Sequence, residues 1–402
     1  MINVNLQALN PFRRSGEPEA TKSASAAPPE SPNLLERSKD FFVDTWESTR
    51  KAVDDAVGVG KDLVNQGAQK GREVVEETLW GEYKKDWGQH GDRYDNPADA
   101  NYQTERSATI EARIASRSDA EAQALSKLST VDQVRYKSLL TLIDADVPSK
   151  EAFQLMLING RLPGEPALVG GGTVLANLAA LADQKLAPGL DRAYLVSDLI
   201  QEVANPVIIN QKDKNTCVAT SSVMDLALRN PAEMVRLVAG LASETGKVKL
   251  AGGKTITREP KWNETLGERT QSIHLISAAL MEMGNGVFAY DDVNDKNKAL
   301  GIGLYEGLFH IGANRILSQI HDRKYDAIVV HRKNVDKVMS RLALETADGK
   351  RVPAGLAWGS GGHQIVVEGV KDGQVYYLNP HGNRERMPEA EFQQRLRSAH
   401  FY

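Results

Sequence analysis

What constrains this chain most is where its periodicity changes. Up to about residue 320 the apolar runs have helical length and spacing, as in STVDQVRYKSLLTLI, GGGTVLANLAALADQKLAPGL and VATSSVMDLALRN. In the last third they gather into short β-type runs, YDAIVVH, QIVVEGV and QVYYLNP, bounded by Asp-Gly and Pro turn signals. Helices first and strands afterwards predict an α+β domain with a helical half and an antiparallel sheet half.

The N-terminal third reads differently. Residues 15–33 (SGEPEATKSASAAPPESPN) cannot bury enough apolar surface to offset chain entropy, so 1–33 is expected to be disordered. Over 34–80, Leu35, Phe42, Trp46, Val53, Val57, Val64 and Val75 are separated by steps of 7, 4, 7, 4, 7 and 11. This 11-residue repeat matches a nearly straight amphipathic helix. It needs a surface: its own domain, a second copy, a membrane surface or a chaperone. Residues 81–117 open on a polar stretch and read as a linker, so 34–117 forms an amphipathic helical region and linker. A single domain then spans 118–402. Ser129 or Thr130 is expected to cap a helix, and Ser149 the next one, which ends at Gly160.

Composition narrows the function. The 402 residues are 41% apolar and 25% charged with a net charge of -4, so no basic excess points to nucleic acid. One cysteine allows neither an internal disulfide nor a thiolate zinc cluster, which fits a reducing cytosol. The start, MINVNLQALNPFRR, lacks the apolar region of a Sec signal, and no apolar run is long enough to span a membrane. No cofactor or metal is expected.

That one cysteine, Cys217, stands where a helix should begin. The helical pattern runs from Val218 and stops at Asn230-Pro231, because proline disfavours helix in the residue before it. At a helix N-terminus the orphan N–H groups and the dipole favour an anion, so a thiol pKa is expected to fall toward neutral. Gln211 lies six residues earlier. Its carboxamide and the Cys217 N–H could form two donors for a tetrahedral oxyanion. A lone cysteine is otherwise a small buried hydrophobe.

The sequence WGSGGHQIVVEGVKDGQVYYLNPHG holds a hairpin with strands at 364–370 and 374–379. A three-residue loop, Lys371-Asp372-Gly373, would pair Val370 with Gln374 and set Ile365 opposite Asn379. His363 and Asn379 then become diagonal neighbours on one face, whereas a two-residue Asp-Gly turn would set them on opposite faces. Asn379 can accept from one ring nitrogen of His363, leaving the other for Cys217. Gly361 and Gly362 would let this strand approach the cysteine closely. His381 is the rival base; His274 and His310 fall in helices, and His321 and His331 flank a strand.

Gln211, Cys217, His363 and Asn379, in that order and at those spacings, resemble the papain-like cysteine peptidase superfamily over roughly 200–395. The resemblance implies a papain-like fold, Gln211 as the oxyanion-hole residue, Cys217 as nucleophile, His363 as acid–base and Asn379 as the orienting residue. It departs from the family in Asn-Thr-Cys-Val around the cysteine and in Pro380-His381 where an aromatic usually shelters the asparagine. The chain also resembles papain-like domains of secreted bacterial effectors and toxins, which implies a protein made in the bacterial cytoplasm and secreted or injected into a target cell. A chaperone, secretion-system or immunity partner would then meet the N-terminal amphipathic region. The expected activity is cleavage of an amide bond in a protein or peptide through a thioester. Glutamine deamidation, transglutamination and peptidoglycan cleavage use the same residues, and a non-catalytic binding module is the alternative from another class.

Two further segments enter the expectation. Residues 284–303, with Asp291, Asp292, Asn294 and Asp295, lack the spacing and closing glutamate of an EF-hand and read as a solvated loop, a candidate border of the cleft. Trp358 reads either as a cleft wall or as core.

Overall fold

The computed structural model describes residues 91–93, 107–263, 268–286, 289–299, 302–305, 307–359 and 361–402. The chain divides into Met1–Thr78 and Leu79–Tyr402, and all of the described residues belong to the second unit. The disordered stretch and the 11-residue repeat expected over 1–80 lie outside them.

Helices come first, as the pattern predicts. Helix α1 (Ser107–Ser116) already occupies the end of the expected linker. It is followed by α2 (Ser118–Ser126), α3 (Thr130–Leu142) and α4 (Val147–Ile158). Ser129 caps α3 by accepting from the Asp132 N–H. Ser149 does not cap α4. Asp146 does, accepting from Ser149 N–H, and Pro148 sits in the first turn, where its missing N–H costs nothing. Helices α5 (Val174–Asp183), α6 (Arg192–Ala204), α7 (Cys217–Arg229) and α8 (Pro231–Ala242) continue the bundle, with α9 (Gln271–Asn285) and α10 (His310–His321) after it. Strand β1 (Asp92–Arg93) precedes them all. The pair β2 (Lys247–Lys249) and β3 (Thr255–Thr257), and the sheet β4 (Ala289–Asp291), β5 (Lys296–Ala299) and β6 (Ile302–Tyr305), are interspersed.

Helix α7 runs through the middle of this half. Every residue from Cys217 to Ala227 is buried, and Val223, Met224 and Leu226 wholly so. Each such side chain contributes about 1.5–3 kcal/mol of transfer free energy. Its polar members are satisfied inside: the Ser221 and Ser222 hydroxyls donate to Val218 O, and Asp225 accepts from Arg229 at 2.8 Å and lies 3.1 Å from His321 Nε2.

The rest is sheet. Strands β7 (Asp326–Val329), β8 (Val352–Trp358), β9 (Gly361–Lys371), β10 (Gln374–Asn379), β11 (Asn383–Pro388) and β12 (Leu396–Phe401) join β1 in the order β1-β11-β10-β9-β8-β12-β7, antiparallel throughout. Helices α11 (Val335–Ala347) and α12 (Glu389–Arg395) complete it. Both faces are covered. Val366 and Leu378 join the helical core, while Ile365, Val367, Val375 and Tyr377 join a second core with Val338, Met339 and Leu342 of α11 and Phe392 of α12. This double burial explains the unbroken apolar run at 365–367, where a half-exposed strand would alternate.

The hairpin β9–β10 corrects the expected loop. Lys371 pairs with Gln374, so the turn has two residues, Asp372 and Gly373, at φ +53° and +68°. Such left-handed pairs match the twist of the flanking strands. The extra residue lies in β9 instead. Tyr376 pairs with Gly369 and Tyr377 with Val367, so Glu368 is a bulge. Arg351, at 3.3 Å, and Arg384 hold its carboxylate. Past the bulge Leu378 pairs with Val366, and that register continued sets Asn379 across from Ile365. The facing needed by His363 and Asn379 is thus reached by a different route.

Candidate active site

Helix α7 begins without a side-chain cap. Thr216 occupies the N-cap, but its hydroxyl pairs with Thr220 instead. The first N–H groups carry no side-chain cap, and the backbone N–H groups of Gln364, Val218 and Cys217 itself lie where they lower the thiol pKa. Gln364 directly follows His363 on β9, the strand against which α7 packs.

A second tie brings in Gln211. Its N–H donates to Pro380 O at 2.7 Å, Asn210 bridges His381, and Asn210 Nδ2 donates to His381 O at 2.9 Å. The loop before the cysteine is therefore stitched to the turn after Asn379. Gln211 is buried; its Nε2 donates to Lys214 O at 2.6 Å, which engages one of the two amide hydrogens.

His363 Nε2 lies 2.8 Å from Asn379 Oδ1, and both side chains are buried. Two neighbours fix the Asn379 amide. Its Nδ2 donates to Glu385 Oε1 at 2.9 Å, and the His381 N–H approaches Oδ1 at 3.3 Å. With oxygen facing the imidazole, the hydrogen belongs on Nε2, and Nδ1 is the nitrogen that Asn379 does not take. Trp358 and His381 flank the ring, with centroids 4.8 Å and 5.2 Å away, the latter stacked at 13°. Trp358 therefore shelters His363. His381 approaches Asn379 through its backbone N–H.

Two expectations fail here. A helix N-terminus alone lowers a thiol pKa, but burial dominates and pushes the Cys217 thiol up, aided by the Asp295 carboxylate; the three N–H groups pull it down by less. Nor do Gly361 and Gly362 serve close approach: a Cβ on either would meet nothing nearer than 4.0 Å and 3.8 Å.

Part of the expected solvated loop is a clamp. Asp292 is buried in a bidentate pair with Arg269 at 3.0 Å and 2.6 Å, with His274 Nε2 at 3.1 Å. Tyr290 donates to Asp295 Oδ1 at 2.8 Å, while Asp295 Oδ2 accepts from Asn215 N–H at 2.7 Å and Nδ2 at 2.9 Å. Lys214 Nζ donates to Asp292 O at 2.9 Å. The segment 214–215 leading into Cys217 is held from this side.

Among the described residues no group of three or more His, Cys, Asp or Glu side chains could hold a metal ion, and no helix is long and apolar enough to cross a membrane. No protein-family model matches the chain, and no curated protein matches it. The site is read on its own geometry.

Proposed function

We propose that the protein is a cysteine-dependent hydrolase of papain-like design that cleaves an amide bond in a protein or peptide. The observation that carries this reading is an uncapped helix start bearing Cys217 packed on the strand of a buried His363–Asn379 pair whose hydrogen-bond sense is fixed. The protonated thiol gives its proton to His363 Nδ1 as Sγ attacks the carbonyl carbon. The oxyanion is received by the Cys217 N–H and the second amide hydrogen of Gln211; losing one such donor typically costs about 3–4 kcal/mol of barrier. The imidazolium returns its proton to the leaving amine, and a thioester forms. His363 then takes a proton from water, hydroxide adds to the thioester, and the acid and thiol are released.

A peptidyl vinyl sulfone, an electrophile for activated thiols, tests this. Wild type is expected to be labelled at Cys217, and Cys217→Ala and His363→Ala to resist while staying folded. Equal labelling of His363→Ala would remove the base from the scheme. Intact-mass measurement on peptide mixtures then reads the reaction: fragments for hydrolysis, a gain of about 1 Da for deamidation, a cross-link for transfer.

A further inference from the structure

Behind Asn379 sits a carboxylate that takes no proton in the scheme above. Glu385 on β11 is fully buried, across from Tyr377 and diagonal to Asn379. Three donors converge on it: Asn379 Nδ2 on Oε1 at 2.9 Å, and the Tyr377 hydroxyl and Gly91 N–H on Oε2 at 3.0 Å and 3.2 Å. A carboxylate suits such a position because, ionised, it only accepts.

The two ends of the Asn379 amide are close in size and opposite in hydrogen-bond sense. Which end meets His363 decides the chemistry. Oxygen inward requires Nε2–H and leaves Nδ1 to take the thiol proton. Nitrogen inward would make Nε2 the acceptor, move the hydrogen to Nδ1 and remove the base; an imidazole held in the wrong tautomer costs up to about 10⁴-fold in rate. We propose that Glu385 is a positioning residue of the Cys217 centre: it holds the Asn379 amide with its oxygen on His363 and so selects the Nε2–H tautomer. This rests on the reading of Cys217 and His363 as nucleophile and base.

The full chain tests this with two readouts at pH 7: the rate of Cys217 alkylation by iodoacetamide, and the ¹⁵N signature of the His363 tautomer. Glu385→Gln replaces one accepting oxygen by an NH₂ group, so one of the three donors meets a donor. Alkylation is expected to slow about 10- to 100-fold, the effect of losing one charge-assisted hydrogen bond. Part of the His363 signal should move to the Nδ1–H form, which a merely structural role would not cause. Wild-type rate and tautomer in Glu385→Gln overturn the proposal, while a slow His363→Ala leaves the nucleophile–base reading standing. A His363→Ala variant alkylated at the wild-type rate overturns that reading itself. If Glu385→Gln does not fold, the wild-type spectrum decides: neutral His363 as Nε2–H supports the assignment, and as Nδ1–H refutes it.

Discussion

Removing the charge of Asp292 should destabilise the domain more than any single change at the sulfur. The pair it forms with Arg269 is fully enclosed, with side-chain exposures of 1% and 0%. Burial pushes the Asp292 carboxyl up, but His274 and Arg269 together hold it well below the usual carboxylate range. Asp292→Asn leaves the guanidinium buried without its counter-charge, a change that costs about 3–5 kcal/mol. For a unit of about 320 residues this lowers the unfolding midpoint by about 4–7 °C. Urea unfolding followed by tryptophan fluorescence and circular dichroism measures it. The double variant Asp292→Asn/Arg269→Met removes both charges and should recover about 2 kcal/mol or more of the summed single costs. The sign with pH follows: a depressed folded pKa stabilises above the unfolded value, about 3.9, and that contribution is lost in acid, so the wild type and Asp292→Asn converge there. A single cost below about 1 kcal/mol, or singles that simply add, would refute the clamp.

Two other buried groups give opposite pH slopes. Burial, with a smaller contribution from His310, pushes His400 down to about 4, so stability should fall as pH drops from about 6.5 toward 4, and His400→Phe should flatten that loss in thermal scans. Burial and then the neighbouring Asp198 charge push Glu202 up, so the folded state binds its proton more tightly; stability should decline as pH rises above about 4.3, and Glu202→Gln should lessen that decline.

Features carried by neighbours in sequence were legible. Asn230-Pro231 ended α7 and Cys217 began it, because both signals lie within a few residues. The hairpin was legible, but not the place of its extra residue: Lys-Asp-Gly fits a two- or a three-residue turn equally, and a bulge at Glu368 is stabilised by Arg351 and Arg384, which are distant along the chain. The Asp-rich loop was misread for the same reason. Polar residues read as solvated unless their partners are visible, and Arg269 and His274 lie 23 and 18 residues before Asp292. Glu385 left one overlooked sign: Pro380-His381-Gly382, with Gly382 at φ +75°, is a turn, and it announces another strand bringing a residue back beside Asn379. At Cys217 the expected fall of the thiol pKa toward neutral is reversed, because burial outweighs the backbone N–H groups that lower it.

The bulge at Glu368 makes the site a test of parity. His363 and Asn379 share a face because one residue between them is left unpaired, and the Asp372-Gly373 turn is not where that residue sits. Two residues added to or removed from the hairpin tip in matched pairs would leave the facing unchanged, so the tip is open to length variation and to engineered grafts. A single added residue would preserve the site only by moving the odd residue elsewhere, which makes an odd-length insertion at the tip, compensated by deletion of Glu368, a permissible exchange and an uncompensated one a loss of the base.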